Sequence, residues 1–234
     1  MTHHSAKFPA WDVIDGGLAT GSISLAPLRE VRRRAGLSLC DELRTPLLEA
    51  ERRIALLLAG GHGPLAGVQR EELRAAVEAT EFLSALVSLV GLAEEEEAGR
   101  LEDEDFDLRF PIWDVADEQG ARARERRMVL DLHLPGEPLK VRAVREWTRA
   151  VLRFALREQL LSSAPGCRIA VDAARKGEEI FVRLERRGPA DRRHRTPHRA
   201  GQALTWSFLE RHRGRLVVRD RGASWLLALP AVMK

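Results

Sequence analysis

The sequence predicts an α-helical hairpin that pairs with a second copy into a four-helix bundle, followed by an α+β sandwich with helices on one face of a mixed sheet. Three observations predict it. Apolar residues recur at steps of three and four through residues 28–57 and again through 73–90, with a Gly-rich cluster between the two runs. Near residue 128 the apolar period changes from helical to alternating. Helical stretches and strand pairs then interleave to the end of the chain, the order expected of helices layered on a sheet.

The first stripe is Leu28, Val31, Ala35, Leu39, Leu43, Leu47, Ala50, Ile54 and Leu57, one face of a long helix. Pro46 lies inside it, removes a backbone donor and is expected to kink the helix. "GGHGPLAG" at Gly60 to Gly67 is a turn cluster. A second stripe runs through Leu73, Val77, Thr80, Leu83, Val87 and Val90. Two helices joined by a short loop form an antiparallel hairpin. One hairpin does not cover a stripe of this length on both sides, so a homodimer is expected. The domain reading is an N-terminal segment at 1–23, the hairpin at 24–97, an acidic linker at 98–107 and an α+β domain at 108–234.

Within the last domain, Pro111 to Arg127 reads as a helix and "RMVLDLHLP" as a strand alternating Met128, Leu130, Leu132 and Leu134. Glu146 to Leu161 is helical. "CRIAVDAARKGEEIFVRLER" reads as two strands around a Lys-Gly turn, Gly201 to His212 as a helix, and "GRLVVRDRGASWLLALP" as a second hairpin.

With 234 residues, 44% apolar and 31% charged, the composition is that of a soluble globular chain. No basic-then-apolar leader and no uncharged apolar run near ~18 residues is present, so export and membrane spanning are not expected, and the setting is cytoplasmic. Cys40 and Cys167 fit no zinc or disulfide spacing, and no metal site is expected. Net charge is +3 but segregated. Glu94 to Asp107 holds nine acidic residues, and Arg186 to Arg199 holds six arginines and two histidines. Such blocks are either solvated surface or contact sites for each other or for charged partners. Nucleic acid is a weak candidate, because no aromatic platform or DNA-reading motif accompanies the arginines. "FPAWDVID" at Phe8 recurs as "FPIWDVAD" at Phe110, too short for a repeat architecture.

"LCDELRTPL" at Leu39 to Leu47 resembles the phosphoacceptor site of sensor histidine kinases, where a histidine precedes Glu-Leu-Arg-Thr-Pro-Leu. The likeness continues in order. "QREELRAAVEATEFLSALVSLVGL" is similar to the second dimerisation helix, and "REWTRAVLRFALREQLLSSAPGCRIAV" to the segment bearing the Mg-ATP asparagines. "EIFVRLERRGPA" and "GQALTWSFLERHRGRLVV" resemble the two glycine-rich segments with the stretch after them. The resemblance covers the chain from about Ser24 and implies a dimerisation hairpin plus a histidine-kinase ATPase (Bergerat-type) α+β sandwich.

Departures from the family pattern set the functional expectation. Asp41 stands where the histidine belongs. A carboxylate lacks the imidazole nucleophile, and elsewhere it takes phosphoryl groups only with Mg²⁺ and neighbouring acids. At the two asparagine positions stand Phe154 and Glu158. Phenylalanine does not contact a hydrated metal, whereas a glutamate can ligate Mg²⁺. The Asp-x-Gly-x-Gly segment reads Arg186, Arg187, Gly188, Pro189, Ala190, and an arginine has no acceptor for the adenine amino group. The last glycine-rich segment keeps Gly201 but has Arg199 in place of a glycine, and residues 190–200 stand where an ATP lid belongs. Loss of ATP binding is therefore expected, with no cofactor. The resemblance implies a pseudo-histidine kinase that docks a response regulator or another kinase at Asp41, Glu42, Arg44, Thr45 and Leu48. The alternative is a phosphatase, because Glu42 and Thr45 match the pair that supports dephosphorylation in the family. One helical turn separates them, so a carboxylate and a hydroxyl share a face and can orient a water.

Overall fold

A computed structural model describes residues 26–191 and 199–232. The first FPxWDVxD copy, half of the Arg-rich run, most of the lid segment and the start of the first stripe (Leu28, Val31 and Ala35) lie outside what it describes in side-chain detail.

Unbroken i, i+3, i+4 patterning makes α1 span Ala26–Leu58, and the helix continues through Pro46 rather than ending there. The glycine-rich turn reverses the chain into α2, Gly67–Glu97. At its start the Ala66 N–H donates to Gln69 Oε1 at 3.0 Å, satisfying one of the donors a helix start leaves over. Ser84 Oγ donates to Glu51 Oε1 across the hairpin at 2.8 Å. By length and composition α2 could cross a membrane. One side of it packs: Leu89 and the partly buried Phe82, Leu86 and Ala93 join the core of the second domain. The stripe read as the bundle seam lies on an adjacent face, and its Leu83 is 48% exposed in the single chain.

Glu94 to Glu97 finish α2, and within the stretch read as an acidic linker, 98–107, Glu104–Asp107 forms a strand, β1. Neither β1 nor its antiparallel partner β3, Lys140–Ala143, is legible in the sequence. The acidic run also meets different arginines from those expected. Glu104 pairs with Arg145 at 2.6 Å, Asp105 with Arg142 at 3.6 Å, and Glu96 with Arg211. Asp107 accepts the N–H groups of both Arg109 and Leu139 at 3.1 Å and pairs with the Arg109 guanidinium at 2.7 Å. It thereby fixes the start of α3, Arg109–Glu125.

The main sheet follows the alternation in the sequence. Its strands are β2 Val129–His133, β4 Arg168–Lys176, β5 Glu179–Arg187, β6 Arg215–Arg219 and β7 Ser224–Pro230, in the order β2-β4-β5-β7-β6. β2 runs parallel to β4, and the other neighbours are antiparallel. Helices α4, Arg145–Ser162, and α5, Arg199–Arg211, cover one face with α3. Ile169, Val171, Val182, Leu184, Trp225 and Leu227 point into that layer and are buried. The opposite face carries cross-strand ion pairs, Arg168 with Asp131 at 2.8 Å and Arg183 with Asp172 at 2.6 Å. The period-2 split between the faces explains both sets.

Candidate functional site

Two surfaces hold the residues singled out in the sequence. On α1, Asp41, Glu42, Arg44, Thr45 and Leu48 are all exposed. Helical spacing places 41, 45 and 48 on one side with 44 beside them. Arg44 Nη1 lies 3.4 Å from Asp41 Oδ1, between side chains that are 53% and 75% exposed. A pair that open to water holds the surface only weakly, ~0.3–0.5 kcal/mol. Leu39, Leu43 and Leu48 are also open, at 55%, 41% and 56%. Just beneath, Cys40 is buried against Gly91 on α2. Burial first, then the charge of Glu94, pushes its thiol up, which leaves it a small apolar side chain rather than a nucleophile. The α1 surface is therefore a shallow array of one carboxylate pair, a guanidinium, a hydroxyl and apolar side chains.

The second set lies where α4, the end of β5 and the start of α5 meet. Phe154 is 1% exposed. Its ring centroid is 6.2 Å from Phe82 on α2 and 6.1 Å from Trp225 on β7. It also presses on the first turn of α5, where a Cβ added at Gly201 would overlap the ring. The retained glycine thus makes room for an aromatic side chain. The first turn of α5, the kind of helix start that can bind an anion, here carries a hydrocarbon ring against Gly201. Glu158, one turn along α4, is buried as well, at 5%. Arg186 turns inward from β5 and donates through Nη1 to the Ser162 carbonyl at 2.9 Å. Gly188 takes φ 141°, over Cys167: an added Cβ would sit 2.5 Å from the Cys167 Sγ. Ala190 is exposed and bridges to Ser163. The chain past β5 is thereby tied to the end of α4. Among the described residues no group of three or more His, Cys, Asp or Glu converges as metal ligands would. An internal void of about 10 Å³, lined by apolar side chains including Leu152, Phe208 and Leu229, lies deeper and has room for about one water.

Several arginines join α2 to the α+β domain, although nothing in the sequence separates them from solvated helix charges. Arg126 pairs through Nη1 with Glu78 of α2 at 2.7 Å, and through Nη2 with the Ser163 carbonyl at 3.1 Å and Asp191 at 3.3 Å. Arg157 is buried and donates to the Glu78 carbonyl at 2.9 Å and to Glu81 at 3.2 Å, while Arg122 also pairs with Glu81. Desolvation, with the nearby charge of Arg122, pushes Arg157 down to about 10, and it stays a cation at neutral pH. The usable signal was on the other side, in Glu78 and Glu81, the two charged residues of the otherwise uncharged stretch from Ala75 to Ala93 of α2. Opposed carboxylates there need cations from whatever packs on α2.

No protein-family model and no curated protein matches the chain. Solved structures do. The histidine kinase AdeS of Acinetobacter baumannii aligns at 20% identity over 82% of this chain and 98% of its own, with a TM-score of 0.50. The histidine kinase ThkA, in a complex with the response regulator protein TrrA, aligns at 17% identity over 92% of this chain and 68% of that one, with a TM-score of 0.53. The chain has a histidine-kinase-like fold, hairpin and α+β domain together.

Proposed function

We propose that the chain is a pseudo-histidine kinase: a cytoplasmic homodimer that signals by holding a response regulator or another kinase on its helical bundle, without ATP-dependent phosphotransfer. The observation that carries this reading is Phe154. A nucleotide bound in the family's mode needs a hydrated metal beside α4 and open N–H groups at the start of α5. Here the ring lies in the core between Phe82 and Trp225 and against Gly201. Admitting a metal and phosphates would mean expelling it into water, at ~3–5 kcal/mol for a buried phenylalanine. Arg186 adds a second obstacle, since its donors already serve the Ser162 carbonyl and it offers adenine no acceptor.

Docking is placed at Asp41, Glu42, Arg44, Thr45 and Leu48, exposed side chains on one rigid helix. The structure solved for ThkA holds a response regulator, which supports that partner class for a chain of the same fold. The open leucines Leu39 and Leu43 support a second copy as the cover for the bundle. A second reading keeps catalysis in the form of dephosphorylation. It is favoured by Glu42 and Thr45 lying exposed within one turn of each other. Calorimetry with Mg-ATP at millimolar concentration tests the central claim. No saturable heat is expected, and a micromolar dissociation constant would overturn it.

A further inference from the structure

Three histidines lie among the described residues, and only His212 is buried, since His62 and His133 are exposed. His212 follows the last residue of α5. Its backbone N–H donates to the Phe208 carbonyl at 3.2 Å, and its ring Nδ1 lies 2.8 Å from the same oxygen. A carbonyl only accepts, so Nδ1 carries a proton. The ring lies beside Phe208, with centroids 4.4 Å apart, and stands edge-on to Trp147 at 6.4 Å. Those contacts fix the direction of Nε2.

Nε2 meets two groups with opposite needs. The Val144 N–H, at the start of α4, approaches it at 3.4 Å and needs a lone pair. The Asp103 carboxylate, one residue before β1, lies 3.1 Å away and needs a proton. A neutral ring serves Val144 and turns its lone pair on Asp103, whereas an imidazolium serves Asp103. Charge balance separates the same two states. Glu96, in the last turn of α2, is 3% exposed, pairs with Arg211 and has Oε1 4.0 Å from Nε2. With a neutral ring two carboxylates face one guanidinium, and with a charged ring they face two cations. Burial pushes the Glu96 carboxyl up, Arg211 and His212 pull it down, and Asp103 pushes it further up. The neighbouring acid Glu104 is held elsewhere, by Arg145. Four parts of the fold therefore meet at one imidazole: the end of α2, the stretch before β1, the start of α4 and the end of α5.

We propose that His212 is a proton-operated latch at the joint between the hairpin and the α+β domain. The charged ring fastens residues 98–103 to the end of α5 through Asp103, and the neutral ring releases them and takes the Val144 N–H instead. The bond from imidazolium to carboxylate exists only while the ring is charged. Fastening is therefore complete on the acid side and is lost as pH rises through the range in which histidines change charge, about pH 5–8. Arginine stays charged throughout that range, so the pair of Glu96 with Arg211 holds in both states and the domains do not part. What changes is how firmly the connection from α2 to β1 is tied down. The latch lies away from the α1 surface and does not rest on the docking reading.

Two measurements on the full chain test it. The first reads the ring nitrogens of His212 by NMR of ¹⁵N-labelled histidine. The signal is assigned by its loss in His212→Gln or, should that variant misfold, by its change in Asp103→Asn. A neutral ring protonated at Nδ1 is expected at about pH 8, and a doubly protonated ring at about pH 5, the two ends of the histidine range. The second measurement is hydrogen exchange at the amides of residues 99–104, corrected for its intrinsic pH dependence. Exchange should slow about fivefold from the higher pH to the lower, the low end for a hydrogen bond to a charged group with one partner half exposed. Asp103→Asn should abolish that slowing, and because the Asp103 side chain is 49% exposed the variant keeps its fold. A ring that holds one protonation state across the range, or a neutral ring protonated at Nε2, overturns the proposal. So does a change in exchange below about twofold, the scale of an inconsequential surface pair, or slowing in Asp103→Asn equal to that of the parent.

Discussion

The surface around Asp41 and the space around Phe154 hold the two sets of residues singled out in the sequence, and their physical characters are opposite. Around Asp41 the residues from Asp41 to Leu48 named above are exposed, and the ion pair of Arg44 with Asp41 joins side chains more than half open to water. Around Phe154 the side chains are buried and three elements converge on one ring. A helix surface can exchange one reactive side chain and keep its shape. A cleft that exchanges polar residues for apolar ones is filled by them, and the filling becomes part of the core. Departure from a family pattern should therefore cost function alone at the first place. At the second, reversing it should cost stability.

That difference gives the largest expected effect. Phe154→Ala removes a ring packed on Phe82, Trp225 and Gly201 and should destabilise the chain by ~3–5 kcal/mol. Phe154→Asn, which writes the family residue back, should do no better, because its amide would lie among apolar groups. Leu48→Ala, on the open surface, should stay within ~0.5 kcal/mol. Urea unfolding of the three variants measures the contrast. Equal losses at Phe154 and Leu48 would remove the distinction between a filled space and an open surface.

Next in size is the seam. Leu43 is 41% exposed in the single chain, so Leu43→Asp should leave helix content intact in a monomer. In a bundle the same carboxylate is buried without a partner and costs ~3 kcal/mol or more, the range for an uncompensated buried charge. Light scattering should show the parent as a dimer and the variant as a monomer at micromolar concentration. A parent chain that is monomeric there would sink the bundle.

Legibility in the sequence divides along the same line. Both long helices, the turn between them and the strand pairs were readable because each has a strong period over many residues. β1 and β3 were not. They are four residues each, "EDFD" and "KVRA", and their charged composition outweighs the single alternation of Phe106 and Val141 that pairs them. The strand at the end of the acidic stretch went unread for that reason. At the site, the identities of Phe154, Arg186 and Gly201 were readable. Their convergence was not, because it depends on Trp225 and Phe82, 71 and 72 residues away in opposite directions. Which face of α2 packs on the α+β domain was hidden likewise. Leu83, Val87 and Val90 and Phe82, Leu86 and Leu89 are adjacent stripes, and only packing selects between them.

Acid separates the two regions by a smaller margin. Burial pushes the Asp107 carboxyl up, but the Arg109 guanidinium and the N–H groups of Arg109 and Leu139 outweigh burial and hold it below its ordinary 3.8. The same balance, burial against arginine, lowers Glu118 beside Arg153 and Asp172 beside Arg183. A carboxyl lowered by folding contributes its stability fully above the unfolded value and loses it as pH falls through the folded one. The α+β domain should therefore loosen below about pH 4, the unfolded range for Asp and Glu, as read by fluorescence of the buried Trp147 and Trp225. Asp107→Asn should be less stable at neutral pH and show a shallower acid loss. An unchanged acid slope would mean that Asp107 does not couple folding to protonation.

The smallest expected effects are on α1, and they distinguish binding from catalysis there. Asp41→His should not restore autophosphorylation, because the space at Phe154 is filled independently of what stands on α1. Asp41→Lys puts a cation beside Arg44 where a carboxylate now balances it, and should weaken the partner complex mainly through the association rate, as rim charges do. Thr45→Ala removes one hydroxyl from an exposed position and should shift stability by no more than ~0.5 kcal/mol. A protein that acts by docking should bind its partner equally well with either residue. If Glu42 and Thr45 instead orient a water, Thr45→Ala should keep partner affinity and lose dephosphorylation, the mark of an interaction made only in the transition state. Decay of a phosphorylated response regulator, followed with the parent chain, with Thr45→Ala and with neither, reads the difference directly. Equal decay in all three supports docking alone, whereas acceleration by the parent that vanishes in Thr45→Ala assigns the surface to a phosphatase.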